Sequence, residues 1–340
     1  MTVSTIGLDI AKRSFQVHAV DQAGQRVINR SLKRGQLLHW LAKLDRVEGC
    51  VVGLEACATC HYWARELRQL GYEPRIMKTS FVKPFLRGQK NDARDAEAIC
   101  EAVQRPGMRF VPEKNAEQQA VIGLHHVRDR QVAERTRLIN QTRATLLEQG
   151  VEIATGRRAF AEAMPRILED ADNGLPWLIR DALAEVYEEY RALEARIDRL
   201  TRRLEALSQS DPACKRLLAI EGVGALTATL LRAVMGDAQA FRSGRDFAAY
   251  LGLTPRQHST GGKARLLGIS KAGNGMLRRL LVHGARAALL RAPNKTDTRS
   301  RWLQSLSQRR HRNVVTVALA AKNARIALTL IKRDLDYQPT

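Results

Sequence analysis

Apolar and polar positions fall into distinct regimes along this 340-residue chain. Residues 3–9 (VSTIGLD), 14–20 (SFQVHAV) and 26–32 (RVINRSL) are short β-rich runs separated by turn-forming segments, and they predict an antiparallel meander. A helical spacing covers 36–44, and the buried-strand run CVVGLE covers 50–55. A second helix over 61–70 stops at Gly71, a strand covers 73–77, and helical segments continue to about residue 104. The order βββ, α, β, α, β, α predicts an α/β domain with a mixed sheet over residues 1–112.

From about residue 113 the pattern is helical. Leu183, Val186, Tyr190, Leu193, Ile197, Leu200, Leu204 and Leu207 alternate spacings of three and four, an a/d seam sustained over more than three heptads. Such a seam needs a partner helix. The helical stretch 121–147 can supply it in an antiparallel hairpin, or another subunit can, so 113–208 reads as a helical coiled-coil oligomerisation region. Residues 209–340 open at Asp211-Pro212 and continue as helix, Gly222-x-Gly224 turn, helix. In a helix-hairpin-helix such a turn lets backbone N–H groups meet a phosphate, although an ordinary helix turn has the same composition. The fold class expected is α/β plus α, with a mainly helical C-terminal domain.

Charge narrows the partners. The formal net charge is +21. Residues 113–208 are nearly balanced, with 15 basic and 17 acidic groups, whereas 256–312 carry 14 basic residues and the single acid Asp297. A block with so few interspersed acids reads as a polyanion contact, because each phosphate neutralised releases counterions. Arg256, Lys263, Arg265, Lys271, Arg278 and Arg279 are the candidate nucleic-acid contacts, together with Gly222 and Gly224. The best membrane candidate, 314–331, is broken by Lys322, Asn323 and Arg325, so no membrane span and a cytoplasmic location are expected. The cysteines Cys50, Cys57, Cys60, Cys100 and Cys214 are few and odd in number, as for reduced thiols. Cys57-x-x-Cys60 lacks the second ligand pair that zinc requires.

Four acids stand out by position. Asp9 falls at the end of the first strand, Glu55 at the end of the fourth, and Asp92 and Asp95 share one helix face in KNDARDAEAI. In a ribonuclease-H-like sheet, with which the element order is compatible, the ends of the first and fourth strands are neighbours, and a helix packed behind them brings its own acids to the same point. Clustered carboxylates repel unless hard cations neutralise them, which points to Mg²⁺, two ions being the arrangement that clamps a phosphodiester. A second constellation, TPRQHSTGGKAR over 254–265 followed by ISKAGN, sets the hydroxyls Ser259 and Thr260 among glycines, a histidine and cations. That suits a nucleophile at a phosphate, and it is also ordinary loop composition.

Taken together, IGLDIAK, GLEAC, HYWARELRQLGY, KNDARDAEAI, GVGALTA, YLGLTPRQHSTGGK, ISKAGN and LRRLL resemble the insertion-sequence 110 family of DEDD transposases, most closely its 1111 subgroup. The resemblance runs from about residue 6 to 330. It implies a recombinase that moves its own mobile element, with a RuvC-like metal domain carrying the DEDD acids Asp9, Glu55, Asp92 and Asp95. It also implies a coiled coil joining protomers in a dimer or tetramer, and a C-terminal domain (209–340) whose serine attacks DNA to form a phosphoserine link in a site shared by two protomers. It further implies a non-coding bridge RNA that pairs with donor and target DNA. Counting back from Ser270 places the serine at Ser259, and counting forward from Thr254 places it at Thr260; Ser259 is preferred because threonine is the more hindered nucleophile. The rival expectations are a RuvC-like nuclease or Holliday-junction resolvase without a covalent intermediate, and a non-catalytic nucleic-acid-binding protein.

Overall fold

A computed structural model describes residues 2–89 and 91–338. The described residues form two compact units, one comprising the chain through Gln118 together with Met235–Ala240, the other Gln119–Val234 and the chain from Phe241 onward.

The first unit is built on the strands β1 (Val3–Ile10), β2 (Ser14–Val20), β3 (Arg26–Lys33), β4 (Arg46–Glu55), β5 (Glu73–Met77) and β6 (Phe110–Val111), ordered β3-β2-β1-β4-β5-β6. β1, β2 and β3 form the expected meander, β1 and β5 flank β4 in parallel, and β6 closes the far edge antiparallel to β5. The sheet is therefore mixed, as the element order predicts, while β6 is too short to leave a periodic signal. The helices are α1 (Leu37–Ala42), α2 (Cys60–Gln69), α3 (Thr79–Val82) and α4 (Asp92–Val103). Val3, Ile6, Leu8, Phe15, Val17, Val52 and Leu54 form the sheet's share of a core closed by Trp63 and Leu67 of α2. The parallel pairing sets Gly7 beside Gly53. A Cβ on Gly7 would lie 2.1 Å from the Ala96 oxygen and 2.4 Å from the Cys100 nitrogen, and one on Gly53 would lie 2.9 Å from the Val103 Cβ. These two glycines form a flat seat on which α4 rests its backbone.

The second unit is mostly helical: α5 (Ala116–Leu147), which begins at the end of the first unit, α6 (Arg157–Glu169), α7 (Trp177–Ser210), α8 (Pro212–Leu218), α9 (Ala225–Met235) and α10 (Gly244–Tyr250). A two-stranded hairpin follows, β7 (Pro255–Gln257) and β8 (Leu266–Ile269), then α11 (Gly275–Arg291), α12 (Thr298–Arg309) and α13 (Arg312–Arg333). The heptad seam on α7 finds a partner in its own chain. Arg128 Nε donates to Thr201 Oγ1 at 2.7 Å and Arg135 Nη1 to Glu194 Oε1 at 2.8 Å, so α5 and α7 run antiparallel. Leu183, Tyr190 and Leu193 are buried with Leu138, Ile139 and Leu146 of α5 and Phe160 of α6. An intrachain antiparallel hairpin is thus formed along the seam.

The sequence predicts that the interrupted run 314–331 is too broken to span a membrane. Among the described residues, however, α13 is long and apolar enough by length and composition. Half of that window is buried inside the protein, with Val315, Leu319, Ala320, Ala324 and Ala327 inaccessible, as befits a core helix. Lys322 and Arg325 lie on its less buried side.

Candidate metal centre and nucleic-acid interface

The acids of the first unit are placed by two rigid elements. Asp9 is next to last on β1 and half-buried, and Asp92 and Asp95 lie in the first turn of α4. That turn is fixed because Asn91 caps the helix, its side chain accepting a hydrogen bond from the Arg94 nitrogen at 2.9 Å. With α4 pressed onto Gly7, one carboxylate oxygen from each of Asp9, Asp92 and Asp95 lies within 4.8 Å of the others. Three hard, anionic oxygens at that spacing match the donor set and reach of a divalent cation such as Mg²⁺.

Glu55 stands at the end of β4, one residue beyond the Leu8–Leu54 pair, and so beside Asp9 at the strand ends. Its carboxylate is outside the 4.8 Å group, and its Oε2 accepts a hydrogen bond from Thr79 Oγ1 at 3.2 Å. The structure thus brings three of the four expected acids together and places the fourth on the neighbouring strand. Lys90, the first residue of the KNDARDAEAI motif, lies outside the described residues.

The neighbouring Cys57-x-x-Cys60 stands outside the converging acids. Burial pushes the Cys57 thiol up to about 11, with Cys60, Glu55 and Asp9 adding to the effect, and burial raises Cys60 as well. Among the described residues neither sulfur belongs to a group of three side chains close enough to share a metal ion, which at this end of the sheet comprises Asp9, Asp92 and Asp95. His61 is engaged elsewhere: its Nδ1 accepts from the Lys114 nitrogen at 3.3 Å, and its Nε2 is 3.1 Å from Lys114 Nζ.

In the second unit, Ser259 and Thr260 occupy a hairpin rather than the loop their composition allows. Gly261 and Gly262, at φ +56° and +76°, make the two-residue turn between Thr260 and Lys263, whose backbones pair. Gln257, the last residue of β7, donates from Nε2 to Ser259 Oγ at 2.8 Å. Ser259 and Thr260 are both exposed at the projecting end, and so are Arg256, Lys263 and Arg265. Gln257 carries no charge, but its place in the TPRQHSTGGK motif two residues before the serine was the available signal for a residue that orients it.

The remaining basic candidates divide by what they touch. Lys271 is exposed, with its left-handed backbone (φ +55°) donating to the Gly252 oxygen at 3.1 Å. Arg278 Nη1 donates to the Leu251 oxygen at 3.0 Å and the Ala272 oxygen at 2.7 Å, so its guanidinium ties the loop before α11 to the end of α10. Arg279 pairs with Asp129 of α5. The Gly222-x-Gly224 turn does join two helices, and a Cβ on Gly222 would lie 2.6 Å from the Gly284 oxygen of α11, whereas one on Gly224 meets nothing within 4 Å. Gly222 answers to interior packing, and Gly224 is the exposed member.

Comparison with known proteins bears on both units. A transposase profile of the insertion-sequence 110 DEDD type matches residues 6–150, and the profile of the transposase IS116/IS110/IS902 family matches 214–301. A Pseudomonas aeruginosa protein named a probable family 20 transposase is 51% identical over 341 residues, covering 100% of both chains. The transposase for insertion sequence element IS1111A of Coxiella burnetii is 42% identical over 99% of this chain and 92% of its own length. That for IS1328 of Yersinia enterocolitica is 41% identical over 96% of each.

Proposed function

The chain belongs to the IS110/IS116 family of insertion-sequence transposases and is a DNA transposase, and on that premise we propose that it exchanges DNA strands through a divalent-metal site at Asp9, Glu55, Asp92 and Asp95 and a nucleophilic hydroxyl at Ser259. The observation that carries the reading is the convergence of Asp9, Asp92 and Asp95 to within 4.8 Å. The strand order supports a RuvC-like fold for the domain over 1–112, and the 42% identity to the IS1111A transposase supports the 1111 subgroup.

The residues divide the work. Asp9 and Asp95, half-buried on a strand and a capped helix, hold fixed positions, Asp92 completes the set, and Glu55 offers a fourth carboxylate from the next strand. Magnesium held there, as two ions in this reading, supplies neutralisation of the phosphate charge and polarisation of its oxygens. Ser259 Oγ forms a bond to phosphorus as the strand's P–O ester bond breaks, the serine proton is given up, and the leaving oxygen takes up a proton. Arg256, Lys263 and Arg265 on the same hairpin hold the phosphate's charge as the bond order changes. We further propose that the protein works as a dimer or tetramer, with 113–208 joining the protomers and 209–340 carrying the serine and the nucleic-acid surface, and that a bridge RNA directs it. Sequencing RNA that co-purifies with the protein tests that last part: a structured RNA encoded beside the gene supports it, and only random fragments contradict it.

The reading is tested by a strand-transfer assay in Mg²⁺ with Asp9→Asn and Asp95→Asn. Loss of transfer with intact DNA binding is the expected result, and full transfer by both variants overturns the metal assignment. The rival reading is hydrolysis by water that the acids alone direct at the phosphate. It predicts cleaved ends without any protein attached.

A further inference from the structure

Outside the acid cluster and the hairpin, the second unit contains a basic cavity of about 530 Å³ between α12, α13 and the segment that follows α13. We infer that this cavity is the seat for one unpaired nucleotide of a DNA strand, its phosphate held by Arg299, Lys322 and Arg325. The inference rests on the chain's being a DNA transposase but not on the roles given to the acids or to Ser259.

Among the described residues, three cations line the cavity and no acid does. Lys322 and Arg325 are three apart on α13 and therefore neighbours on one face, where like charges repel. Neither has an ion-pair partner among the described residues, in contrast to Arg216, Arg279 and Lys295, each matched to an aspartate or glutamate. The acids nearest in sequence, Asp334 and Asp336, are held by Arg216. Lys322 Nζ sits 4.6 Å from the Trp302 ring centroid, which fixes it without neutralising it. Its pKa is lowered first by burial and then by Arg299 and Arg325. Arg299 is only 6% exposed. Its Nη2 is anchored on the Glu221 oxygen (2.8 Å) and Asn323 Oδ1 (3.1 Å), yet its buried Nε makes no hydrogen bond among the described residues. A surface of solvated helix cations would not bury and anchor one of its arginines.

The rest of the lining selects the kind of anion. Thr329 and Gln338 add a hydroxyl and an amide, and Tyr337 adds an aromatic ring. A cavity of this size takes a nucleotide and excludes a base-paired duplex, so the strand must present that nucleotide unpaired, as strand exchange requires at its ends.

The test is fluorescence anisotropy on the full chain, in EDTA so that no chemistry intervenes, with a short single-stranded DNA, the same sequence as duplex, and the same sequence as RNA. The Lys322→Gln/Arg325→Gln variant is expected to melt with the wild type and bind the single DNA strand about tenfold more weakly. Its salt slope should be lower by about 1, with the duplex affinity unchanged. Tyr337→Ala is expected to weaken the single strand severalfold and leave inorganic phosphate competition untouched. Unchanged single-strand affinity, an equal loss for duplex, or a site that prefers RNA would each overturn the proposal. Because binding is read without catalysis, such a failure leaves the acid and serine chemistry standing, and the converse also holds.

Discussion

Gly7 and Ala96 meet with no room for a side chain: a Cβ on Gly7 would lie 2.1 Å from the Ala96 carbonyl oxygen. This contact sets the depth at which α4 lies on β1, and so whether Asp92 and Asp95 reach Asp9. Gly7→Ala must push the helix away, an overpacking cost of about 1–3 kcal/mol. The expected outcome is a lowered urea midpoint together with loss of Mg²⁺ binding by calorimetry. Mg²⁺ affinity equal to wild type would show that the seat does not position the acids.

Three carboxylates within 4.8 Å repel one another when no cation is bound. Asp92, the exposed member, can be neutralised at little packing cost. Asp92→Asn is expected to leave the metal-free protein as stable as wild type or slightly more so, and to remove most of the rise in melting temperature that Mg²⁺ gives wild type. An undiminished Mg²⁺-induced rise would argue against a cation at this cluster.

The buried histidines set the acid limit of stability. His125, 3% exposed with its Nε2 3.0 Å from Thr229 Oγ1, has its pKa lowered by burial to about 4, with Arg128 and His126 contributing. The unfolded side chain protonates near the ordinary value of 6.5, so between about 6.5 and 4 the unfolded state binds more protons and stability falls as pH falls. His61, also lowered to about 4, acts in the same direction. Urea midpoints at pH 7 and pH 5 should differ by up to about 2 kcal/mol of stability for each such group. His125→Gln should shrink that difference, and an equal difference in the variant would contradict the assignment.

Arg278 and the hairpin cations should separate in their effects. Arg278→Ala orphans the Leu251 and Ala272 carbonyls and is expected to cost about 2 kcal/mol of stability. Replacing Arg256, Lys263 and Arg265 by glutamine should leave the melting temperature alone and reduce the salt slope of duplex DNA binding by about 2 to 3. Equal melting losses in both variants would place the hairpin in the fold rather than at the DNA.

What the sequence made legible followed from periodicity and from element ends. The meander and the fourth-strand position of Glu55 are readable because strand alternation is local, and Asp92 and Asp95 share a face because helix geometry demands it. Three features are not readable. The α7 seam states that a partner exists but not which, and only the Arg128–Thr201 and Arg135–Glu194 contacts identify α5. The hairpin around Ser259 has strands of three and four residues, below any periodic signal. Charge counting groups Arg278 and Arg279 with Lys263 and Arg265, because composition does not reveal which cations face carbonyls or carboxylates of their own chain.

Transfer through Ser259 and plain hydrolysis part at the covalent link. Wild type incubated with end-labelled element DNA and Mg²⁺, then denatured, should yield a protein–DNA adduct whose modified peptide contains Ser259. Ser259→Ala should abolish the adduct and strand transfer while DNA affinity and melting temperature stay at wild-type values, and Thr260→Ala should retain both activities. An undiminished adduct in Ser259→Ala, or strand cleavage with no adduct in wild type, would contradict the serine chemistry.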